Sequence, residues 1–330
     1  MEYLKKFNKV LIPVLILVLM VAGMPVYSQD KAVESITIKE LRDHLFYLAS
    51  DELGGRVTGT EGFNAAVKYS VKEFGKANLG TMFKDSNGKD SYLQDVSFAR
   101  RSRNSDTPAT DINTWNVVAI VEGTDHKLKD EFVTVGAHLD HVSPRNGEIC
   151  NGADDNASGS VGVIEVAEAI AMNPPKRSVI FILYAGEEMG LRGSRYFLEN
   201  PPVPLKKIVA NINLDMIGRT GRGLDADKKE IYLRYSSEVS PEFKDFVKKV
   251  NKMTIKYPLV YVEDSKSPGG SDHQSFLRKE IPAIMFFSGL HNDLHQPGDD
   301  ADKIQYDKVQ KISQLVYELT RELGNIDKIF

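Results

Sequence analysis

The sequence predicts one α/β domain with a mostly parallel mixed central sheet and helices on both faces, a three-layer αβα arrangement. Two observations favour this fold class. From residue 116 onward, short runs rich in Val and Ile alternate with longer runs whose apolar residues recur at helical spacing. In addition, no repeat, low-complexity tract or Pro/Gly-rich linker divides the 330 residues, a length at which one chain can bury a large core.

The predicted strands lie in the last two thirds of the chain. In order they are NVVAIVEG, EFVTVGAH, SVIFILYAG, IVANINLDMIG and IPAIMFFSG. The helices that alternate with them or follow them are SGSVGVIEVAEAIAMN, GLRGSRYFLEN, SPEFKDFVKKVNKM and DKVQKISQLVYELTREL. Strands that are apolar on both faces and separated by helices indicate a sheet covered on both sides.

Two further helical patterns lie closer to the N-terminus. They are ITIKELRDHLFYLASDEL and FNAAVKYSVKEFGKANLG, and the second ends at Gly80. The loop between them, GGRVTGTEG, is rich in Gly and Thr. Residues 84–112 are polar and irregular, which predicts a hairpin followed by a flexible excursion.

Residues 1–28 have the pattern of a secretory signal peptide. Three lysines precede the apolar run VLIPVLILVLMVAG, and MPVYSQDK then turns polar. An uncleaved membrane anchor is the alternative, but the run is short for crossing ~30 Å of hydrocarbon and contains Pro13. We therefore expect cleavage near Ser28–Gln29 and a mature domain over residues 29–330, free of the membrane and exported to the periplasm or the extracellular space.

Composition excludes several classes of function. With 42% hydrophobic and 27% charged residues and a formal net charge of -4, the chain has no basic field for nucleic acid. A single cysteine, Cys150, excludes an intramolecular disulfide framework and a Cys-rich zinc module.

Residues of the metal-ligand type fall at the carboxyl ends of several predicted strands, where open α/β sheets bind their ligands. Crowded carboxylates repel one another, so a positive charge has to hold them together. Oxygen and nitrogen donors without thiolates suit catalytic zinc, and their number exceeds the need of one tetrahedral ion. Two ions that share a carboxylate would account for the surplus. The residues are His138, Asp140, Asp155, Glu187, Glu188, Asp215 and His295.

Each of these residues, taken singly, also has a purely structural interpretation. Asp215 could form a turn, and His138 could be a core histidine. Glu187 and Glu188 could be solvated charges at a helix N-terminus. Asp154 could be the ligand in place of its neighbour Asp155.

Six motifs, in this order, resemble those of the co-catalytic zinc aminopeptidases of the bacterial leucyl aminopeptidase type, whose relatives include the glutaminyl cyclases. The motifs are GAHLDH, NGADDNASG, YAGEEMG, NLDMIGR, GGSDHQSF and LHQPGDD, and the resemblance covers residues 37–320. It implies a zinc exopeptidase-like fold, a zinc peptidase catalytic domain over residues 29–330 and two Zn²⁺ ions per chain.

The resemblance also implies a set of metal ligands. His138 and Asp215 correspond to ligands of one zinc ion, and Glu188 and His295 to ligands of the other. Asp155 corresponds to the carboxylate that bridges the two ions, and the family usually has a cis peptide bond after that residue.

Further positions correspond to residues that support the family's chemistry. Glu187 corresponds to the general base, Asp140 to the group that holds the His138 ring, and Asp272 to an acid that supports the site. Met216 corresponds to a position that lines the pocket for the first side chain of the substrate, with a plain core position as the alternative. His141, His273 and His291 receive no role.

The implied activity is hydrolysis of the N-terminal peptide bond of peptides with a free N-terminus. A water between the two ions loses a proton to Glu187, attacks the scissile carbonyl, and the proton passes to the leaving amine. One position departs from the family pattern: Leu294 occupies the place of a Tyr that steadies the oxyanion in several relatives.

Two alternative functions remain. A single-zinc glutaminyl cyclase, a transferase, carries Trp at the position of Leu294, whereas the one Trp of this chain is Trp115. A non-catalytic binding ectodomain would have lost ligands that are all present here. The motifs assign neither a preferred first residue nor an oligomeric state.

Overall fold

The computed structural model describes residues 31–100, 110–264 and 270–329, so the predicted signal peptide lies outside the described residues. The strands are β1 (Gly80–Thr81), β2 (Phe83–Lys84), β3 (Asp90–Ser91), β4 (Leu93–Arg100), β5 (Thr110–Val121), β6 (Phe132–His138), β7 (Ser178–Tyr184), β8 (Ile208–Asp215), β9 (Ile231–Tyr235), β10 (Leu259–Glu263) and β11 (Ala283–Phe287). The helices are α1 (Lys31–Ser35), α2 (Ile38–Leu48), α3 (Glu61–Lys76), α4 (Gly159–Met172), α5 (Arg192–Glu199), α6 (Pro241–Met253), α7 (His273–Leu277) and α8 (Tyr306–Asn325).

A mixed sheet forms the centre of the protein. Its order is β1-β5-β7-β6-β8-β11-β9-β10, and β4 also pairs with β5. The four central strands β7, β6, β8 and β11 run parallel to one another. Antiparallel pairs flank them, β5 with β7 on one side and β9 with β11 on the other. The predicted mixed sheet is confirmed, and its parallel part is the centre.

Alternate residues of each central strand point into different layers of core. In β7, Val179, Phe181 and Leu183 belong to a large cluster that includes α2, α3, α4 and α8, whereas Ile180 and Ile182 pack with α5 and α7 on the opposite face. This alternation follows from the two-residue period of a strand. It explains why the predicted strands are rich in apolar residues on both faces, and it confirms the three-layer arrangement.

Several strands differ from the sequence-based expectation. Residues 84–112 were expected to form a hairpin and a flexible excursion. The β2–β3 hairpin is present, but residues 93–100 and 110–112 belong to β4 and β5, which pair antiparallel from Leu93↔Val117 onward. The rest of the predicted excursion, residues 101–109, lies outside the described residues. The sequences of β4 and β5 alternate polar and apolar residues, as expected of a half-exposed pair. The short strands β9 and β10 were not predicted, and they extend the sheet beyond β11.

Two of the N-terminal helices, α2 and α3, begin at a threonine that caps them. The hydroxyl of Thr37 accepts a hydrogen bond from the main-chain N–H of Glu40 at the start of α2, at 3.2 Å. Thr60 does the same for α3 through the N–H of Phe63. Among the described helices, none combines the length and the apolar character needed to cross a membrane.

Candidate metal centre

The ends of the central strands bring the ligand-type residues together. His138 is the last residue of β6 and pairs in register with Tyr184, the last residue of β7, while Asp215 ends β8. The loop after β7 carries Glu187 and Glu188, and the turn before α4 carries Asp155. All of these loops leave the same edge of the sheet, as the strand directions require.

A first donor group consists of His138, Asp155 and Asp215. Nε2 of His138 lies 3.3 Å from Oδ1 of Asp155 and 3.4 Å from Oδ1 of Asp215. All three side chains are buried. The structure therefore places the predicted ligands of one metal ion within ligand distance of one another.

A second donor group uses the other oxygen of Asp155. Nε2 of His295 lies 3.0 Å from Oδ2 of Asp155 and 3.1 Å from Oε1 of Glu188. His141 joins this group, with its Nδ1 3.5 Å from Oδ2 of Asp155 and 3.3 Å from Oε1 of Glu188. The five predicted ligands are thus brought together, with Asp155 common to both groups, and the group contains one histidine that the sequence reasoning left without a role.

The tautomer of His138 shows why a cation fits the first donor group. Nδ1 of His138 lies 3.1 Å from the carbonyl oxygen of Asp140. A carbonyl oxygen only accepts, so Nδ1 carries the proton in the neutral ring and Nε2 presents its lone pair. That lone pair faces the oxygens of Asp155 and Asp215, an arrangement that needs a positive charge between the three atoms.

The spacing of the donor atoms also suits a metal ion. Zinc bonds of about 2.0–2.2 Å in a tetrahedron put neighbouring donor atoms ~3.3–3.6 Å apart. The donor distances in the two groups run from 3.0 to 3.5 Å. Oxygen and imidazole donors without thiolate match the preference of catalytic zinc.

The pKa values show that the centre needs positive charge. Hydrogen bonds from His295 to Asp155 and Glu188 raise the pKa of His295 to about 10. Burial lowers the pKa of His138, but the facing carboxylates outweigh burial and raise that pKa well above its usual range. With no cation the centre keeps protons, and a divalent ion would displace them.

The adjacent residues Glu187 and Glu188 have different environments. Glu188 belongs to the second donor group, whereas Glu187 belongs to neither group. The main-chain N–H of Glu187 donates to Oδ1 of Asp140 at 3.1 Å. Burial, with the nearby charges of Asp272 and Asp215, raises the pKa of Glu187 well above its usual range, so this carboxyl group binds protons readily.

The residues predicted to support the centre lie around it. Asp140 contacts the His138 ring through its carbonyl oxygen, and its carboxylate Oδ1 lies 3.9 Å from Nδ1 of that ring. Asp272 is fully buried, neither of its carboxylate oxygens has a hydrogen-bond partner among the described residues, and burial raises its pKa to about 7. Met216 is buried, and its main-chain N–H donates to Oδ1 of Asn156 at 3.1 Å. Its role in a substrate pocket stays a prediction.

The structure separates the two neighbouring aspartates of the GADDNASG motif. Oδ1 of Asp154 accepts hydrogen bonds from the N–H of Gly218 and the hydroxyl of Ser158, so Asp154 braces the loop. Asp155 faces both donor groups, and the peptide bond between Asp155 and Asn156 is cis, as the resemblance implied.

Two residues that hold the ligand-bearing loops in place were not predicted from the sequence. The carboxylate of Asp299 accepts the main-chain N–H groups of Asp154, at 3.0 and 3.1 Å, and of Asp155, at 3.1 Å. The guanidinium of Arg56 is fully buried and donates to four carbonyl oxygens, those of Leu48, Leu139, Asn151 and Gly152. The signals were present: Asp299 lies in LHQPGDD, and Arg56 is a charged residue within a Gly-rich loop.

A third group of His44, Glu73 and Glu168 borders a cavity of about 540 Å³ between α2, α3 and α4, away from the strand ends. Both ring nitrogens of His44 have neighbours, the hydroxyl of Tyr69 at 2.6 Å and Oε1 of Glu165 at 3.3 Å. Lys76 donates to both carboxylate oxygens of Glu73. His44 and Glu73 therefore already have partners, and the cavity lies apart from the strand ends that carry the motif residues.

The protein has a three-layer αβα fold with two carboxylate–imidazole donor groups at the carboxyl edge of its sheet. This arrangement is typical of proteins that bind divalent metal ions. The chain belongs to peptidase family M28, whose family model matches residues 116–320. This match confirms the resemblance drawn from the six motifs, and the matched range contains both donor groups and Glu187.

Known proteins with similar sequence and fold agree with this assignment. The chain is 31% identical over 207 residues to leucine aminopeptidase 1 of Arthroderma otae, which covers 59% of this chain and 55% of that protein. The chain thus spans about half the length of the curated relatives it matches. It also resembles an aminopeptidase from Aneurinibacillus sp. strain AM-1, with a TM-score of 0.71 at 16% identity over 90% of this chain and 96% of that chain.

The glutaminyl cyclase of Porphyromonas gingivalis has the same fold. The TM-score is 0.67 at 16% identity, over 87% of this chain and 98% of that chain. The two structural likenesses establish the shared fold and confirm the predicted fold class. The choice between hydrolase and cyclase depends on the site itself.

Proposed function

We propose that this chain is an exported metallo-aminopeptidase that hydrolyses the N-terminal peptide bond of peptides at a two-zinc centre, with Glu187 as the general base. The observation that carries the proposal is the position of Asp155, which contributes one carboxylate oxygen to each of the two donor groups. The family match and the relative named as a leucine aminopeptidase support the reaction class.

The donor groups assign the residues that would hold the ions. His138 and Asp215 would hold one ion, Glu188 and His295 the other, and Asp155 both. When bound, zinc polarises a substrate carbonyl and makes water a better nucleophile at neutral pH.

Glu187 suits the proton transfer of this reaction. Its half-buried carboxyl group lies beside the centre but belongs to neither donor group, so it is free to accept a proton from the attacking water. The same carboxyl group then delivers the proton to the leaving amine. The hydrogen bond from the Glu187 N–H to Asp140 holds this residue next to the loop that carries His138.

The site favours the hydrolase over the two alternatives. A single-zinc cyclase needs one donor group, whereas the chain supplies two that share a carboxylate. The indole of Trp115, the one Trp of the chain, donates to Asp95 at 3.0 Å on the β4–β5 pair, and Leu294 occupies the position before His295. A binding ectodomain without activity has no need of a filled ligand set.

A panel of aminoacyl-nitroanilides, assayed with and without chelator, tests the proposal. We expect turnover that chelator abolishes and zinc restores, and no turnover of the same substrates after N-acetylation. A peptide with N-terminal Gln serves as the comparison for the cyclase. Cyclisation of that peptide without hydrolysis of the panel would contradict the proposal.

The export part of the proposal depends on the sequence of residues 1–28. Mass spectrometry of the protein from its native host should find an N-terminus near Gln29, which leaves residues 29–330 as the catalytic domain. An intact Met1 in the membrane fraction would show that the apolar run is an anchor.

A further inference from the structure

The geometry points to His141 as a fourth protein ligand of the second donor group. We propose that this group binds its ion through His141, Asp155, Glu188 and His295, while the first donor group has only three protein ligands. The inference rests on the proposed metal centre and adds an asymmetry between the two ions.

The imidazole ring of His141 is buried and unsatisfied. The residue is 1% exposed, and neither ring nitrogen has a hydrogen-bond partner among the described residues. A buried polar ring without partners costs free energy, so such groups are rare unless they have a ligand. Nδ1 of His141 lies 3.3 Å from Oε1 of Glu188, the same oxygen that lies 3.1 Å from Nε2 of His295.

The donor atoms of the four residues have the spacing expected around a tetrahedral metal ion. One donor atom from each of the four residues lies within 4.8 Å of all the others. The four histidine–carboxylate distances are 3.0, 3.1, 3.3 and 3.5 Å, close to the edge of ~3.3–3.6 Å in a zinc tetrahedron. The rings of His141 and His295 approach at 70°, with centroids 5.5 Å apart, so they converge without stacking.

The surrounding loop leaves room for the ring of His141. Gly152 has a φ of 57°, and a Cβ on Gly152 would lie 2.5 Å from the ring of His141. The main-chain N–H of His141 donates to the carbonyl oxygen of Arg56 at 3.4 Å. The chain therefore fixes His141 beside the second group by its backbone and by the absence of a side chain opposite.

The difference in the number of protein ligands predicts different properties for the two ions. Closed four-ligand zinc sites hold their ion tightly, whereas catalytic sites keep a position open. The second group would then retain its ion more strongly, and the first group, with His138, Asp155 and Asp215, would keep room for water or substrate.

Zinc affinity of the metal-free mature chain, measured by competition with a chromophoric chelator, tests this proposal. In His141→Ala, we expect the affinity for one of the two ions to fall at least ~10²-fold, beyond the usual effect of losing a second-shell partner. The affinity for the other ion should stay within about threefold of the wild-type value, a difference of under ~1 kcal/mol. His291→Ala is the matched control, because this histidine contacts Asp154 and belongs to neither group. Unchanged affinities in a folded His141→Ala protein would overturn the proposal.

X-ray absorption of the zinc-loaded wild type provides a second measurement that needs no variant. We expect three imidazole ligands in total on the two ions. A total of two imidazole ligands would overturn the role of His141. The proposed function fails in a different way: a wild type that binds two ions but does not hydrolyse the nitroanilide panel contradicts the aminopeptidase and leaves the ligand count measurable.

Discussion

Only one of the two carboxylate oxygens of Asp155 faces the imidazole of His138. Oδ1 of Asp155 lies 3.3 Å from Nε2 of His138, and Oδ2 points to the second donor group, where it lies 3.0 Å from His295. A carboxylate divided in this way can bind two ions at once. The centre therefore depends on Asp155 more than on any other ligand.

Replacing Asp155 tests that dependence. Asp155→Ala should lose both zinc ions, because each donor group loses one of its oxygens. Asp215→Ala removes a ligand of the first group only and should keep the second ion. Zinc content after dialysis distinguishes the variants, and equal retention of one ion in both would show that Asp155 does not bridge.

The adjacent residues Glu187 and Glu188 should give opposite phenotypes. Glu187→Gln keeps the size of the side chain but cannot accept a proton, so turnover should fall by ~10²–10⁴ while zinc content stays normal. Glu188→Gln should weaken zinc binding, and added zinc should partly restore its activity. Kinetics and zinc content measured on the same samples decide the matter. Reversed phenotypes would mean that the two roles are exchanged.

Much of the fold could be predicted from periodicity alone. The central strands β6, β7 and β11 are rich in apolar residues on both faces and β8 is apolar on one, so all four can be recognised from their sequences. Strands β9 and β10 are five residues each and contain polar residues such as Arg234 and Glu263, so a local pattern does not distinguish them from loops. Their pairing depends on β11, which is distant in sequence.

The ligands could be predicted because they follow strand ends, whereas their supports could not. Arg56 reaches the loops after β6 and before α4 from a segment about a hundred residues earlier in the chain. A charged residue within a Gly-rich loop marks Arg56 as unusual, but local sequence does not show which distant carbonyl oxygens its guanidinium reaches. His141 was left without a role because the resemblance assigns no function to that position, and only the geometry shows its approach to Glu188.

Arg56 should be essential for stability. Burial lowers the pKa of its guanidinium to about 10, which leaves it charged at neutral pH and dependent on its four carbonyl partners. Arg56→Lys cannot reach all four, and it should lower the free energy of unfolding by about 3 kcal/mol or more, since hydrogen bonds to charged groups contribute ~1.5–3 kcal/mol each. Urea unfolding measures the loss, with the exposed Arg195 changed to Lys as the control. A loss equal to that of the control would contradict this role.

Glu168 should make stability depend on pH. Burial, with the nearby charge of Glu165, raises the pKa of Glu168 from 4.5 to about 7, and His44 opposes the shift. The folded protein therefore holds a proton that the unfolded chain releases. Ionisation of Glu168 lowers the stability of the fold progressively as the pH rises from about 4.5 to 7, and the loss is complete above pH 7. Glu168→Gln should stabilise the protein relative to wild type at pH 8 and have little effect at pH 4.5.

Urea unfolding at the two pH values checks this prediction. Glu238→Gln, a change at an exposed glutamate, is the control and should leave the difference between the two pH values as in the wild type. A benefit of Glu168→Gln that is the same at both pH values would show that the carboxyl group does not ionise in this range.

The zinc content of the purified mature chain tests the central claim most directly. Elemental analysis after equilibration with zinc and removal of the excess should find close to two zinc ions per chain, since two donor groups share Asp155. One ion per chain would contradict the two-zinc centre and favour the single-zinc cyclase. No bound zinc would contradict the metal centre altogether.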